Sequence, residues 1–203
     1  MSILLVEDHA LVRAGLKRLL ATLGGGEVIE AADGRDALAI LKSLRPTLIV
    51  LDLNLPGLGG LELLRRMVRA GAGPILVLTM HAEPLYARRA LDAGAAGYVT
   101  KNASPDELLT AVRRVTAGRR YVEAELAQAL AAPEGGAGSL DSLSVRELEI
   151  MRLLAGGASL AQIAAAVGVG YKTVANTCSQ IKTKLGVART ADLVRLAIET
   201  GVG

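Results

Sequence analysis

The sequence predicts an α/β unit built on a parallel five-stranded sheet, followed by a small all-α unit. Three observations predict it. Short apolar runs alternate with amphipathic runs five times within about the first 120 residues, the pattern of repeated βα units. The third apolar run, 47–51, shows no polar alternation, as expected of a central parallel strand buried on both faces. Beyond a Pro-, Gly- and Ser-containing stretch at 133–139 only helical patterns occur.

Taken in order, residues 2–6 read as a strand and 10–23 as a helix ending at Gly24 and its neighbouring glycines. A weaker strand covers 27–31, and a helix over 34–44 stops before Pro46. The strand at 47–51 leads through a Pro/Gly-rich loop to a helix over 61–70. Strands at 74–78 and 97–100 flank a helix over 84–93 that Gly94 closes. Ser104, Pro105 and Glu107 open the next helix as N-cap, first-turn proline and capping-box partner. Residues 119–132 lead out of this unit as a further helical or irregular piece.

In the C-terminal part, Ser144 with Glu147 and Ser159 with Gln162 have capping-box spacing, and Gly156 and Gly157 separate the two helices they open. Leu160, Ile163, Ala164 and Val167 recur as one buried helical face. After a turn at 168–170 a third helix runs to about residue 185, Gly186 ends it, and 189–200 supplies a fourth. The expected organisation is a first domain over 1–120, a linker over 121–142 and a helical domain over 143–203.

A hydrophobic share of 51% supplies enough apolar surface for packed cores and excludes disorder as the main state. Phe and Trp are absent, so Leu, Val, Ile and Ala must fill those cores. The single Cys178 cannot form an internal disulfide, which fits a reducing compartment. Glu7 and Asp8 interrupt the N-terminal apolar run, so no signal peptide is visible, and no run approaches membrane-spanning length. The expectation is a cytoplasmic protein without membrane association.

Candidate chemistry collects at the strand ends. Glu7 and Asp8 follow the first strand, Asp52 the third, Thr79 the fourth and Lys101 the fifth. In open α/β sheets this rim is where ligands sit. Alone, Asp52 also fits a turn cap, Glu7 an ordinary rim carboxylate, Thr79 a β-former and Tyr98 a core aromatic. Together, three neighbouring carboxylates repel unless a cation offsets them, and oxygen-only donors suit Mg²⁺. A carboxylate so neutralised can attack phosphorus, while an ammonium and a hydroxyl hold phosphoryl oxygens. The set points to an aspartyl-phosphate site.

The motifs VEDH at 6–9, LDLNLPGLGG at 51–60, LTMH at 78–81 and GYVTK at 97–101 resemble the receiver domain of two-component response regulators. The resemblance implies a flavodoxin-like (βα)5 fold, with Asp52 as phosphoacceptor. It implies Mg²⁺ held by Asp8, Asp52 and the Asn54 backbone carbonyl, with Glu7 acting through water. Lys101 would contact the phosphoryl group, Thr79 would act as switch hydroxyl, and Tyr98 would turn inward with it. Met80 stands where many receivers carry a small residue, and Asn102 where many carry Pro. His9 and His81 have no second His or Cys at metal-ligand spacing and read as rim residues.

Between Ile150 and Ala191 there is no Asp or Glu, whereas Arg152, Lys172, Lys182, Lys184 and Arg189 occur. Such a local cationic surface suits phosphate contacts. In the third helix Val174, Cys178, Ile181 and Leu185 form a core-facing stripe, so Cys178 reads as a buried apolar residue. Lys172, Asn176, Ser179 and Thr183 project from the opposite face, which fits either a major groove or ordinary solvent. LSVRELEIMRLLA at 143–155, KTV at 172–174 and KLGV at 184–187 resemble the helix-turn-helix domain of the LuxR/NarL class, which favours the groove. The resemblance implies a recognition helix over 171–185 that brings Lys172, Thr173, Ala175, Asn176, Ser179, Lys182 and Lys184 toward double-stranded DNA. Gly170, Ala175 and Thr177 depart from the Ser, basic residue and His common there.

The expected function is a DNA-binding transcriptional response regulator, not an enzyme. A sensor histidine kinase would phosphorylate Asp52, and the chain would act as a homodimer when phosphorylated or DNA-bound. Two alternatives stay open at this point. One is a phosphohydrolase passing through an aspartyl phosphate, although Asn54 cannot protonate a leaving group. The other is a phosphorylation-independent interaction module.

Overall fold

The computed structural model describes residues 1–24, 26–56, 59–131, 140, 143–200 and 202. The linker stretch expected at 133–139, and Gly57 and Leu58 of the loop motif, lie outside the described residues. The chain divides into two compact units, Met1–Ala132 and Pro133–Gly203.

The first unit runs β1 (Ser2–Val6), α1 (Ala10–Ala21), β2 (Glu27–Ala31), α2 (Gly34–Ser43), β3 (Leu48–Leu51), α3 (Gly60–Arg69), β4 (Ile75–Thr79), α4 (Pro84–Asp92), β5 (Gly97–Thr100) and α5 (Pro105–Thr116). β6 (Tyr121–Val122) and α6 (Ala124–Ala131) follow. All strand pairs are parallel, in the order β2-β1-β3-β4-β5-β6. The order reverses direction after β2, so the crossover between β1 and β3 opens a crevice at the strands' C-terminal ends.

Every residue of β3, β4 and β5 is buried, as the uninterrupted apolar runs require. On one face Ile3, Leu5, Leu48, Val50, Leu76, Leu78 and Val99 form a core with Leu20 of α1 and with Leu108, Val112 and Val115 of α5. The alternate residues Leu4, Val6, Ile49, Leu51 and Val77 are buried as well, with Ala37, Leu41, Leu63, Leu64 and Met67 of α2 and α3 inside the same unit.

The structure differs from the sequence expectation in two places. The sheet has a sixth strand: Tyr121 and Val122 pair with Gly97 and Tyr98. Residues 121–131, expected as the start of the linker, are therefore strand and helix of the first unit. A two-residue strand is too short to show a period. The second difference is at α5. The Ser104 side chain accepts from the Glu107 N–H as expected, but the Glu107 carboxylate accepts from the Tyr121 hydroxyl instead of closing the capping box.

The second unit is α7 (Val145–Ala155), α8 (Leu160–Ala166), α9 (Tyr171–Leu185) and α10 (Thr190–Glu199). Both predicted capping boxes form, at Ser144 with Glu147 and Ser159 with Gln162. Leu148, Met151, Ile163, Val174, Cys178, Ile181, Leu193 and Ala197 make the core. Within it α7 packs against α8, α9 and α10. The predicted stripe of α9 is thus buried at Val174, Cys178 and Ile181, and burial raises the Cys178 thiol pKa.

Candidate functional site

Strand register assembles the rim. Val6 is level with Leu51, and the Asp52 N–H donates to the Val6 carbonyl at 3.0 Å, so Glu7, Asp8 and Asp52 leave adjacent strands side by side. Thr79 is level with Thr100, and the Lys101 N–H donates to the Thr79 carbonyl at 2.8 Å. Arg13 of α1 holds the turn after β1 by donating to the Glu7 and Asp8 carbonyls. Asp52 caps its own loop as well: its Oδ1 accepts from the Asn54 N–H at 3.0 Å. At the first residue of α3, Gly60 lies so close to the Leu53 backbone that no β-carbon would fit.

One cation lies among the carboxylates. Lys101 Nζ donates to Asp52 Oδ2 at 2.6 Å. It also lies 2.6 Å from Glu7 Oε2, an ion pair without the alignment of a hydrogen bond. Burial works against the Lys101 charge, but the close contacts with the Asp52 and Glu7 carboxylates outweigh it and raise the pKa above that of an ordinary lysine. Glu7 is 1% and Asp52 3% exposed, while Asp8 faces solvent. Carboxylate oxygens of all three lie within 4.8 Å of one another. Two of the three carboxylates are buried against one shared ammonium, an arrangement that a further cation would stabilise. The donor set is oxygen only, one member is open to water, and the spacing suits a small hard cation such as Mg²⁺.

Thr79 is fully buried, and its hydroxyl accepts from the His81 N–H at 3.5 Å. Tyr98 is turned inward: it is buried, and its hydroxyl donates to the His81 carbonyl at 2.8 Å. Burial above all, then the surrounding negative charges, pushes its pKa far up, so it stays a neutral donor. Met80 is 54% exposed beside this rim. Peptide bonds among the described residues are all trans, including that before Asn102.

His81 carries more than the sequence reading assigned it. It is 4% exposed, its Nε2 lies 2.6 Å from Asn54 Oδ1, and its ring stacks on Tyr86 of α4 with centroids 4.1 Å apart. It thus joins the loop after β3 to α4 and, through its carbonyl, to Tyr98. The one signal available in the sequence was its position two residues after Thr79 at a strand end.

In the second unit Lys172, Thr173, Asn176 and Ser179 are exposed on α9, and Ala175 and Lys182 are half-buried. The Ser179 hydroxyl donates to the Ala175 carbonyl and the Thr183 hydroxyl to that of Ser179, so both present acceptor lone pairs outward. Lys184 has a role that the sequence reading did not give it. Its ammonium donates to Glu147 Oε2 at 2.8 Å, tying the end of α9 to the start of α7. Burial pushes the Glu147 pKa up, but the Lys184 contact and the Ser144 hydrogen bonds outweigh it and leave it below the usual value. Gly170 caps α9 without a side-chain hydrogen bond.

Comparison with known proteins agrees with both halves. Residues 3–113 match the response regulator receiver domain family, and 141–197 match the luxR family of bacterial regulatory proteins. The chain is 42% identical over 209 residues to the transcriptional activator protein ExaE of Pseudomonas putida, covering 100% of this chain and 98% of that one. It is 36% identical over 207 residues to the response regulator UvrY of Escherichia coli K12, covering 99% and 95%. Among solved structures, RcsB of Salmonella enterica serovar Typhimurium, bound to the promoter rprA in the presence of the phosphomimetic BeF3-, superposes with a TM-score of 0.64. That match is at 28% identity, over 96% of this chain and 97% of that one. No helix among the described residues is long and apolar enough to cross a membrane. The chain belongs to the response regulators that join a receiver domain to a LuxR-type DNA-binding domain.

Proposed function

We propose that the chain takes a phosphoryl group on Asp52 from the phosphohistidine of a sensor kinase and binds double-stranded DNA through α9 in response. The observation that supports this most is the buried Lys101–Asp52–Glu7 contact inside a three-carboxylate cluster. Glu7, Asp8 and Asp52 would hold Mg²⁺ with the Asn54 carbonyl. The ion supplies charge neutralisation at the incoming phosphoryl group.

The chain's own residues carry the rest. Asp52 Oδ forms a bond to phosphorus as the P–N bond of the donor breaks, and the imidazole leaves with the electron pair and takes a proton. Lys101, already bonded to Asp52, follows the new charge and binds a phosphoryl oxygen. The Thr79 hydroxyl donates to another, which shifts the strand ends that also hold Tyr98 and His81. The result is a change in population between two states of the receiver surface. On this reading the receiver is 1–120 extended by β6 and α6, the DNA-binding domain is 143–203, and the phosphorylated or DNA-bound form is a homodimer on paired half-sites. Lys172, Thr173, Ala175, Asn176, Ser179 and Lys182 face the DNA, with Lys184 shared between DNA and Glu147. The protein works in the cytoplasm and is not an enzyme.

The test is capture of genomic DNA by the native chain and by Asp52→Ala, each with and without acetyl phosphate and Mg²⁺. Enrichment of defined sites by the native chain with donor is expected. Equal enrichment in all four conditions would overturn the proposal.

A further inference from the structure

The receiver match ends at residue 113, yet a residue beyond it holds the backbone next to Lys101. The Glu123 carboxylate accepts from Thr100 twice, from its N–H and, at 3.2 Å, from its hydroxyl. Thr100 is the last residue of β5, and Lys101 follows it directly. The parallel pairing of β6 to β5 covers Gly97 and Tyr98 and goes no further. Past it the Thr100 N–H stands on the open side of β5, where an edge strand would face water. Glu123, the residue after β6, meets it there.

The segment carrying Glu123 is fixed at several points. A β-carbon on Gly97 would lie 2.9 Å from the Tyr121 carbonyl oxygen and 2.8 Å from Leu76, so the absence of a side chain there is what lets β6 close on the sheet. The Tyr121 hydroxyl donates to Glu107 at 3.0 Å, and the Arg114 guanidinium lies 5.7 Å from the centre of its ring. Further along, α6 packs against α4, the helix whose Tyr86 stacks on His81. In sequence, the residues that join the two units follow α6.

We propose that Glu123 is a positioning residue for the Asp52 site. Through Thr100 it fixes the end of β5 and so the Lys101 ammonium, and it thereby ties the state of Asp52 to α6 and to the chain leading to the DNA-binding unit. This rests on Asp52 being the phosphoacceptor. The tie is reciprocal: a phosphoryl group that draws Lys101 and Thr79 moves Thr100 against Glu123, and loss of the Glu123 clasp loosens Lys101. Because the clasp is made by residue 123, a receiver cut at its family boundary lacks it.

The experiment uses the full chain, native and Glu123→Gln, with Mg²⁺ and beryllofluoride as the probe. Gln keeps the shape but has one acceptor oxygen in place of two. Beryllofluoride affinity is measured together with hydrogen exchange across 97–101 and 121–131. In the native chain beryllofluoride is expected to change exchange over 121–131. In Glu123→Gln the peptide over 97–101 should exchange faster, beryllofluoride should bind about tenfold more weakly, and 121–131 should no longer respond. Thr100→Val, which removes the hydroxyl and keeps the N–H, should fall between the two. Native affinity in Glu123→Gln, or an undiminished response of 121–131, overturns the proposal while leaving the phosphoacceptor reading intact. Failure of the native chain itself to bind beryllofluoride overturns both.

Discussion

At the sheet rim of the first unit Glu7 and Asp52 are almost wholly buried and bonded to one ammonium, whereas on α9 of the second unit Lys172, Asn176 and Ser179 stand in solvent. The rim groups are placed by strand register, which sets their separations before any ligand arrives. The α9 groups are placed only by the spacing of a helix, and the Ser179 and Thr183 hydroxyls bond to their own backbone. A site of the first kind is pre-organised and electrostatically costly, so removing one member has large effects. A surface of the second kind takes up its partners singly, so each residue matters little and in proportion to salt.

The largest expected effect breaks the rim. Lys101→Met leaves Glu7 and Asp52 buried without their cation and should lower first-unit stability by about 3 kcal/mol in chelator. Saturating Mg²⁺ should recover most of that loss, because the ion binds the folded state alone. Denaturant unfolding with and without Mg²⁺ measures both; a loss that Mg²⁺ leaves unchanged would argue that these carboxylates do not share an ion.

Next comes the Lys184–Glu147 ion pair of the second unit, whose carboxylate is buried and whose ammonium is exposed. Glu147→Ala removes the partner of Lys184 and the reverse half of a capping box, and should cost about 2 kcal/mol. The folded pKa of Glu147 is depressed, so its contribution is present above the unfolded value near 4.5 and is lost as pH falls through the lower folded value. Hydrogen exchange of α7 and α9 should show that acid loss in the native chain and not in Glu147→Ala.

Lys172→Ala should weaken DNA binding and reduce the slope of log affinity against log salt by about 0.9. A slope equal to the native one would remove Lys172 from the phosphate contacts. The smallest effect is Gly170→Ser, which supplies the missing N-cap of α9 at a position with extended backbone where a β-carbon would meet only Thr173 Oγ1, at 3.9 Å. It should stabilise the second unit by a few tenths of a kcal/mol, read as a small rise in its melting temperature.

Much of the first unit was legible because each signal was long or redundant. Fully apolar runs marked the strands, and Asp8, Asp52, Thr79 and Lys101 each sat at a strand end within a motif. What escaped notice depended on contacts between segments far apart in sequence. β6 has two residues and no period of its own; its place depends on Gly97 and Tyr121 meeting. His81 looked like one more rim residue because nothing in the sequence says that Asn54 and Tyr86 will enclose it. In the second unit the α9 stripe and both capping boxes followed from spacing alone. The Lys184–Glu147 pair did not, since it joins residues on different helices.

The most direct test of the account is where a phosphoryl group goes. The full chain is incubated with acetyl phosphate, with and without Mg²⁺, and the adduct is mapped by peptide mass spectrometry. The account predicts one acid-stable, base-labile adduct on the peptide containing Asp52, formed only with Mg²⁺ and absent from Asp52→Ala. An adduct that persists in Asp52→Ala, or that forms equally well in chelator, would contradict it.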